Sequence, residues 1–509
     1  MKQKEWGEIM KKQNILFTFV LGLLLSSCNP YSPSSSGLTN SKTTISNNSP
    51  MSISQVSTSS VHVHTFDETY IYDGYYHWKV ATCEHDEKGN YGLHNYVEGK
   101  CADCGYVEAS NEYLSFEAID EKTYGVKGCN KEAVEITIPY FYENKEIVVI
   151  LDKAFQFYKS LTTIEIPSSV TNIYEYAFCF CTSLTSIVIP SSVTSIGKDA
   201  FANSSLDNVY YKGTIEDWCN IQFSDLYSSP MSSALNFYIL DQNNLYQEIT
   251  KIEIPNTITA IGDYQFRSFS KITEIIIPNS VTSIGRSTFE YCTSLTRIVI
   301  PSSVTSIRSG AFYGCTNLTN VEIQNGVTSI GGWAFYYCRS LTSIVIPSSV
   351  TSIENHTFFG CNSLTSIVIP NSLTSIGKYA FYECRSLTSI IIPSSVRRID
   401  AYAFSGCTNL TNAEIQNGVT SIGSYAFETC TSLTSIVIPS SVTSIEEYAF
   451  KACTSLTSII IPSSVRQIGA YAFSDCDSLT IYCEVKWQTS GWNSNWNPDN
   501  RPVVWDYKG

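Results

Sequence analysis

Charged residues are scarce in this sequence. Asp, Glu, Lys and Arg together make up 15% of the 509 residues, whereas a typical soluble domain carries about a quarter. The 32 Lys and Arg residues are spread along the chain and the net charge is −14, so no basic stripe is present that would attract a phosphate backbone. We therefore expect no nucleic-acid partner.

The patterns of an enzyme are absent as well. Five of the six histidines lie between His62 and His94, and only His356 lies in the long repetitive region, where we expect a solvated side chain. No serine or cysteine is paired with a nearby base in a recognisable motif, and no glycine-rich phosphate loop occurs. The sequence predicts neither catalytic residues nor enzymatic activity.

What the sequence has in abundance is a repeat of 23 residues. A fixed period of about 20 to 50 residues is typical of a solenoid, in which each repeat buries its apolar face only against its neighbours. The clearest marker of the repeat is a cysteine that recurs with this period, at Cys292, Cys315, Cys338, Cys361, Cys384, Cys407, Cys430, Cys453 and Cys476. We expect buried free thiols, because nine is an odd number and all neighbours are equivalent. Disulfides are the alternative, since stacked coils place successive thiols ~4.8 Å apart.

One repeat unit explains how a coil forms. Leu341, Ile344 and Ile346 are spaced so that a short strand places both isoleucines on one face. Pro347 lacks the N–H that a continuing ladder needs, so the strand ends there. A short arc that ends at Cys361 closes the coil. Stacked coils then give a parallel β-sheet on one wall and turns or brief helices on the other.

The strand-ending positions give the number of coils. They recur at Pro139, Pro167, Pro190, Pro255, Pro278, Pro301, Gln324, Pro347, Pro370, Pro393, Gln416, Pro439 and Pro462. The irregular segment 203–250 counts as one long coil with a projecting loop. The sequence thus predicts an α/β repeat, a leucine-rich-repeat solenoid of about fourteen coils over 160–480. We expect an N-terminal cap and first coil over 111–159, because the end of the core must be covered.

A tryptophan-rich segment, 481–509, follows the last coil. Its tryptophans are Trp487, Trp492, Trp496 and Trp505. The simplest interpretation is a C-terminal cap over the last coil. A platform for carbohydrate is the alternative.

Aromatic residues occur at one phase of the arc, directly before Ala-Phe. They are Trp333, Tyr379, Tyr402, Tyr425, Tyr448 and Tyr471. Tyrosine combines contact area with a hydrogen-bonding tip, so these residues are candidate binding residues. The alternative is that the rings only pack on one another between coils.

The N-terminus has the features of an export signal. Lys11-Lys12 precede an apolar run, 15–25, and the segment ends in Leu25-Ser-Ser-Cys28. This resembles the signal peptide of a bacterial lipoprotein, 1–27, which implies a lipid on Cys28. A transmembrane anchor is the alternative, but it needs about 20 apolar residues. The segment 28–60 is rich in Ser, Thr and Asn, which predicts a flexible linker.

A Cys/His-rich module, 61–110, follows the linker. Two thiolates at C-x-x-C spacing are typical of a tetrahedral zinc site. The candidate ligands are His77, Cys83, His85, His94, Cys101 and Cys104. The sequence predicts one structural zinc ion in a zinc-ribbon-like module; a disulfide between two of the cysteines and a module without metal are the alternatives.

The unit Leu-Thr-Ser-Ile-Val-Ile-Pro-Ser-Ser-Val-Thr-Ser-Ile-Gly-x-x-Ala-Phe-x-x-Cys resembles the BspA-like class of bacterial leucine-rich repeats, over about 113–509. The resemblance implies a protein exposed on the bacterial cell surface that binds host or neighbouring-cell surface proteins, matrix proteins or glycans. Our first hypothesis is a lipid-anchored adhesion or protein-interaction solenoid. The others are a structural surface coat without a specific ligand and metal capture by the Cys/His module. The sequence leaves open whether the sheet or the aromatic arc binds.

Overall fold

The computed structural model describes residues 113–508 except 242 and 244, together with the backbone of five short strands that precede them. Three of these strands form an antiparallel sheet and the other two pair as a hairpin. The five strands are Phe66–Tyr72, Tyr76–Ala81, Lys88–Leu93, Tyr96–Val97 and Lys100–Cys101.

The main body is a stack of turns whose first wall is a parallel sheet. Its strands pair in register, as Ser343–Val345 does with Ser366–Val368, and the central isoleucine of each strand points into the core. Hydrogen-bonded pairing is interrupted after Asn236–Leu240 and after Ser366–Val368. The strands are Glu135–Thr137, Thr163–Glu165, Ser186–Pro190, Asn208–Lys212, Asn236–Leu240, Lys251–Glu253, Glu274–Ile276, Arg297–Ile300, Asn320–Ile323, Ser343–Val345, Ser366–Val368, Ser389–Ile392, Asn412–Ile415, Ser435–Val437, Ser458–Ile461, Thr480–Cys483 and Val503–Val504.

A second wall is also a parallel sheet, where the sequence predicted turns or brief helices. Val350 and Ile353 are both buried, and Ser352–Ile353 pairs in parallel with Ser375–Ile376. The strands of this wall are Thr123–Cys129, Lys145–Ile150, Asn172–Ile173, Ser195–Ile196, Gln222–Phe223, Ala260–Ile261, Ser283–Ile284, Ser306–Ile307, Ser329–Ile330, Ser352–Ile353, Ser375–Ile376, Arg398–Ile399, Ser421–Ile422, Ser444–Ile445 and Gln467–Ile468.

The fold is therefore a leucine-rich-repeat β-solenoid of about 17 turns, and the predictions of an α/β repeat and of about fourteen coils are corrected. In the described part of the chain the only α-helix is Ile215–Cys219, with one 3₁₀ turn at Pro230–Ser232. The extra turns arise because the irregular segment forms two first-wall strands and because Thr480–Cys483 and Val503–Val504 continue the sheet. Short antiparallel strands flank the walls, namely Leu114–Ala118, Phe141–Tyr142 and Tyr246–Glu248.

The third side of each turn, which we call the turn side, is held by hydrogen bonds although it contains no strand. Tyr379 and Glu383 adopt left-handed φ angles of 56° and 54°, which are uncommon for residues other than glycine. Alternate N–H groups point to the next turn: that of Tyr379 donates to Ala401 at 3.1 Å and that of Phe381 to Ala403 at 2.8 Å. This ladder holds the same strained conformation in successive turns.

The core is built from identical residues in register. Phenylalanine rings stack along the axis, as Phe404 does on Phe427 with 5.3 Å between ring centroids. All nine periodic cysteines are buried free thiols, as predicted, and the Cys384 thiol donates to the carbonyl of Phe358 at 3.2 Å. Burial raises the pKa of the Cys407 thiol to about 12. The thiols are therefore neutral core groups.

The irregular segment differs from this pattern because it depends on one tryptophan. Trp218, in the short helix, is fully buried and contacts the rings of Tyr211, Phe237 and Phe269. Its Nε1 donates to the carbonyl of Gln265 at 2.8 Å, and the Gln265 amide donates to the carbonyl of Trp218. Instead of projecting as a loop, this part of the segment joins the N-terminal turns to the regular array.

At the other end of the solenoid, Trp492 and Trp496 are buried and Trp505 packs partly buried against the same cluster. Trp496 lies edge-on to Phe473 of the last regular turn, with 6.0 Å between ring centroids. Trp487 is different, because 71% of its surface is exposed. Three of the four tryptophans therefore cover the core, and the fourth does not.

Candidate binding surfaces

The phase-matched aromatic residues of the turn side form one continuous stack, the aromatic column. Successive ring centroids are 4.5 to 5.0 Å apart and adjacent planes are inclined by 4° to 17°. The column consists of Trp333, His356, Tyr379, Tyr402, Tyr425, Tyr448 and Tyr471. The tyrosine rings are half-buried, because each ring between the two ends of the stack has a ring neighbour on both faces. Ring edges and hydroxyl groups are what the column offers to a partner.

His356 takes a tyrosine position in this column, so the expectation of a solvated side chain is wrong. Its ring stacks between Trp333 and Tyr379, and its Nδ1 is buried. Burial lowers the pKa of His356 and raises the pKa of Tyr402 to about 12, with a smaller contribution from the neighbouring Tyr425. Both side chains are neutral near pH 7, and the column carries little charge of its own.

A second aromatic stack lies beside the first, and our sequence reasoning missed it. Tyr313, Tyr336, Phe359 and Tyr382 stack with 4.6 to 4.7 Å between centroids. Tyr382 lies 5.6 Å from Tyr379 of the aromatic column, so the two stacks are neighbours. The signal was present in the sequence, since an aromatic residue follows Ala-Phe or Thr-Phe in four successive repeats.

The first wall exposes a row of β-branched side chains, which we call the apolar strip. Its most exposed members are Val345, Val368, Ile391 and Val437, with exposed fractions of 60%, 58%, 54% and 72%. Ile276 and Ile460 continue it at lower exposure. These residues face outward because neighbours on either side in each strand point into the core. The strip is therefore an apolar row along the outer face of the first wall.

Acidic residues interrupt the apolar strip at two places. Glu322 and Glu414 occupy the same outward strand position, and Glu322 lies 3.5 Å from the guanidinium of Arg297. Between these two glutamates lie three consecutive apolar residues, Val345, Val368 and Ile391. This stretch is bordered by the exposed hydroxyls of the strand-starting serines, so it is apolar along its centre and polar along its edge.

The predicted lipidation and metal-site residues are not among the side chains that the structure describes. Cys28, Cys83, His85, His94 and Cys104 lie outside the described residues. His77 and Cys101 lie on described strands whose side chains are not described. Across the side chains that are described, no group of three or more His, Cys, Asp or Glu residues is arranged to hold a metal ion. No helix in the described part is long and apolar enough to cross a membrane.

The stacked walls and the repeated Leu, Ile and Phe anchors define the class of protein as a leucine-rich-repeat solenoid. The pattern of the BspA type leucine rich repeat region matches the chain in six copies, over residues 119–229, 242–365 and 351–480. The chain belongs to this family.

Solved structures of bacterial leucine-rich repeat proteins are similar to this chain. A leucine-rich repeat protein from Bacteroides ovatus is 30% identical, with 73% of this chain and 93% of that chain covered and a TM-score of 0.59. A leucine rich cell surface protein from Faecalibacterium prausnitzii is 25% identical, with 80% and 100% covered and a TM-score of 0.46. No protein of curated function matches the chain.

Proposed function

We propose that this protein is a lipid-anchored bacterial surface protein that binds other proteins through the apolar strip. The observation that carries the proposal is that Val345, Val368, Ile391 and Val437 are each more than half exposed. Large exposed apolar patches on soluble proteins mark interaction sites. Membership of the BspA type family supports the general role, because repeats of this kind provide long surfaces for protein partners.

The apolar strip is a better candidate than the aromatic column. Full burial of a valine or isoleucine side chain contributes about 1.5 to 3 kcal/mol, and the strip has most of that area still available. In the column, stacking at 4.5 to 5.0 Å already covers the ring faces. A partner that binds the column gains only edges and hydroxyl contacts.

Repetition converts weak contacts into useful affinity. Each outward residue of the strip contributes a small area, and the next lies one strand spacing away, ~4.8 Å. A partner that contacts several turns at once, or several copies of this protein on one cell, gains avidity without any new contact. Surface and matrix proteins of a host or a neighbouring cell fit this mode, because they present large or repeated surfaces.

The lipid anchor rests on sequence. The Lys11-Lys12 pair, the apolar run and Leu25-Ser-Ser-Cys28 support export followed by lipidation of Cys28. The test is a Cys28→Ala variant expressed in a bacterium. We expect the unchanged chain to take up labelled fatty acid and to fractionate with membranes, and the variant to do neither. Equal labelling of the two chains would contradict the anchor.

The binding proposal is tested with two matched triple variants of the full chain. One replaces Val345, Val368 and Ile391 with serine on the apolar strip. The other replaces Tyr402, Tyr425 and Tyr448 with serine on the aromatic column. Binding is measured against matrix proteins, mucins, glycans and intact cells, and circular dichroism checks that both variants are folded.

We expect saturable binding that falls at least tenfold in the strip variant and is kept in the column variant. The reverse pattern would assign binding to the aromatic column. Binding of none of these targets by the unchanged chain would favour the surface coat without a specific ligand.

A further inference from the structure

Two asparagine–glycine pairs occur in turns that directly follow strands of the first wall, and the chain contains no other such pair. They are Asn325-Gly326 and Asn417-Gly418, 92 residues apart, in segments 322–331 and 414–423 of identical sequence. Because the local sequences are the same, a difference in reactivity between the two pairs in the folded protein must come from the neighbouring turns.

An asparagine that precedes a glycine is prone to deamidation, because glycine has no Cβ to hinder its backbone nitrogen. The glycine nitrogen attacks Cγ of the asparagine side chain. A bond forms between this nitrogen and Cγ, the bond from Cγ to the amide nitrogen breaks, and ammonia leaves with the proton of the glycine N–H. Water then opens the resulting succinimide ring to aspartate or isoaspartate. Water is the only co-reactant.

Both asparagine side chains are open to this reaction. Asn325 and Asn417 are exposed, and neither side-chain amide makes a hydrogen bond to another described residue. The turn is also less constrained than a proline turn. The N–H of Val350 donates to the carbonyl of Pro347 at 3.0 Å, whereas no such bond closes either asparagine–glycine turn in the described part of the chain. The asparagine side chain can therefore rotate toward the glycine nitrogen.

The contacts that the two turns make with the preceding turn are alike. Oε1 of Gln324 accepts a hydrogen bond from the N–H of Ser302 at 3.1 Å, and Oε1 of Gln416 accepts one from the N–H of Ser394 at 3.2 Å. The φ angles of the two glycines are 144° and 150°. These shared contacts give no reason for the two pairs to react at different rates.

The contacts with the following turn differ. The N–H of Gly418 donates to Oγ of Ser441 at 2.8 Å, an ordinary hydrogen bond. The N–H of Gly326 lies farther from its acceptor, with 3.4 Å from the nitrogen to Oγ of Ser349, which is beyond the usual range. The Gly418 nitrogen is therefore held by a bond that must break before it can attack, and the Gly326 nitrogen is held more weakly.

We propose that Asn325 is a site of spontaneous deamidation in the folded protein and that it is modified ahead of Asn417. The product has a carboxylate in place of a neutral amide, so an aged chain gains negative charge in the turn that follows Glu322. Isoaspartate also adds one atom to the backbone of this turn. The proposal concerns the covalent state of the chain and does not depend on the apolar strip or on any ligand.

The test follows the purified full chain for several weeks at neutral pH in water enriched in heavy oxygen. Each asparagine lies in its own tryptic peptide, 309–339 or 399–451, so mass spectrometry measures the two rates separately. The heavy-oxygen label excludes deamidation that occurs during digestion. We expect Asn325 to react at least threefold faster than Asn417 in the folded chain, and the two to react equally in the chain unfolded by urea.

The decisive variant is Ser441→Ala, because it removes the acceptor of the Gly418 N–H. We expect the rate at Asn417 to rise to that of Asn325. Ser349→Ala is the matched change in the other turn, and we expect it to leave the rate at Asn325 unchanged. Circular dichroism checks that both variants are folded.

A further control addresses a charge that is present beside only one of the turns. Arg297 lies near Glu322, whereas the residue at the matching position, 92 residues later, is Ser389. Arg297→Ser makes the two positions identical, and we expect the ratio of the two rates to stay the same.

Several results would overturn the proposal. These are no modification of Asn325 in the folded chain, equal rates at the two sites, and faster modification of Asn417. A ratio that is kept in Ser441→Ala, or lost in Arg297→Ser, would overturn the role of the hydrogen bond. Unequal rates in urea would show that the fold is not the cause of the difference.

Discussion

The N-terminal turns, 113–250, and the regular array, 251–480, differ in the contacts that hold neighbouring turns together. In the array, identical residues stack on identical residues, as Phe404 does on Phe427 and Tyr402 on Tyr425. The N-terminal turns reach the array through individual contacts, above all those of Trp218 with Gln265. Stability in the array is a sum of similar neighbour contacts. Where the N-terminal turns meet the array, a region that we call the joint, stability depends on a few side chains. Single substitutions at the joint therefore have larger effects on stability.

The largest effect that this comparison predicts is that of Trp218→Ala. Truncation of a fully buried tryptophan costs about 3 to 5 kcal/mol, and here it also removes the hydrogen bond to Gln265. We expect the N-terminal turns to unfold at lower denaturant concentration than the array, so that circular dichroism shows two transitions. Phe427→Leu, within the array, is the control and should cost about 1 kcal/mol. One cooperative transition in both variants would show that the joint is not a weak point.

A smaller effect is expected at a buried ion pair next to the joint. Arg267 and Glu290 lie 3.3 Å apart and their side chains are 8% and 11% exposed. Arg267→Ala leaves the Glu290 carboxylate buried without its partner, which costs about 3 kcal/mol. Lys271→Ala, which removes an exposed pair with Glu248, should change the free energy of unfolding by less than about 1 kcal/mol. Chemical unfolding of both variants measures the difference, and similar values would contradict the assignment.

The buried cysteine thiols predict that stability against unfolding depends on pH, most strongly in the array. Burial raises the pKa of the Cys407 thiol from 9.0 to about 12. Its contribution to stability is complete below pH 9 and is lost as the pH rises from about 9 to about 12, because the unfolded chain ionises first. We expect the unfolding midpoint of the array to fall over this range. A Cys384→Ala, Cys407→Ala, Cys430→Ala variant should show a shallower fall, and an identical slope would assign the effect to other groups.

The stacked tyrosines of the array should matter more than solitary ones in the N-terminal turns. Tyr425 stacks on two neighbours at 4.5 and 4.7 Å, whereas Tyr174 is exposed. Tyr425→Ser is expected to cost about 1 kcal/mol, and Tyr174→Ser less than about 0.5 kcal/mol. Thermal unfolding of the two variants provides the measurement. Equal costs would mean that stacking in the column contributes little.

The two regions also differ in how far their structure could be predicted from sequence. In the array, the alternation of Ile344, Val345 and Ile346 was enough to place the first wall and its outward face. The second wall was not predicted, because a strand of two residues such as Ser352–Ile353 is too short to show a period. The role of Trp218 was not predictable either, because its partner Gln265 is 47 residues away. For the aromatic residues before Ala-Phe, the sequence left two alternatives, namely binding residues or rings that pack on one another. That the ring faces stack was clear only from the distances between ring centroids.

The apolar strip in the array can be shortened without breaking the repeat. Gln324 and Gln416 begin the same sequence, Gln-Asn-Gly-Val-Thr-Ser-Ile, so deletion of 324–415 joins two turns in phase. The deletion removes Val345, Val368 and Ile391 and keeps Val437 and Ile460. The most direct test of binding by repeated contacts along the strip is the affinity of this shortened chain for a partner that the full chain binds. We predict a folded solenoid whose affinity is at least tenfold weaker, and unchanged affinity would contradict binding through the strip.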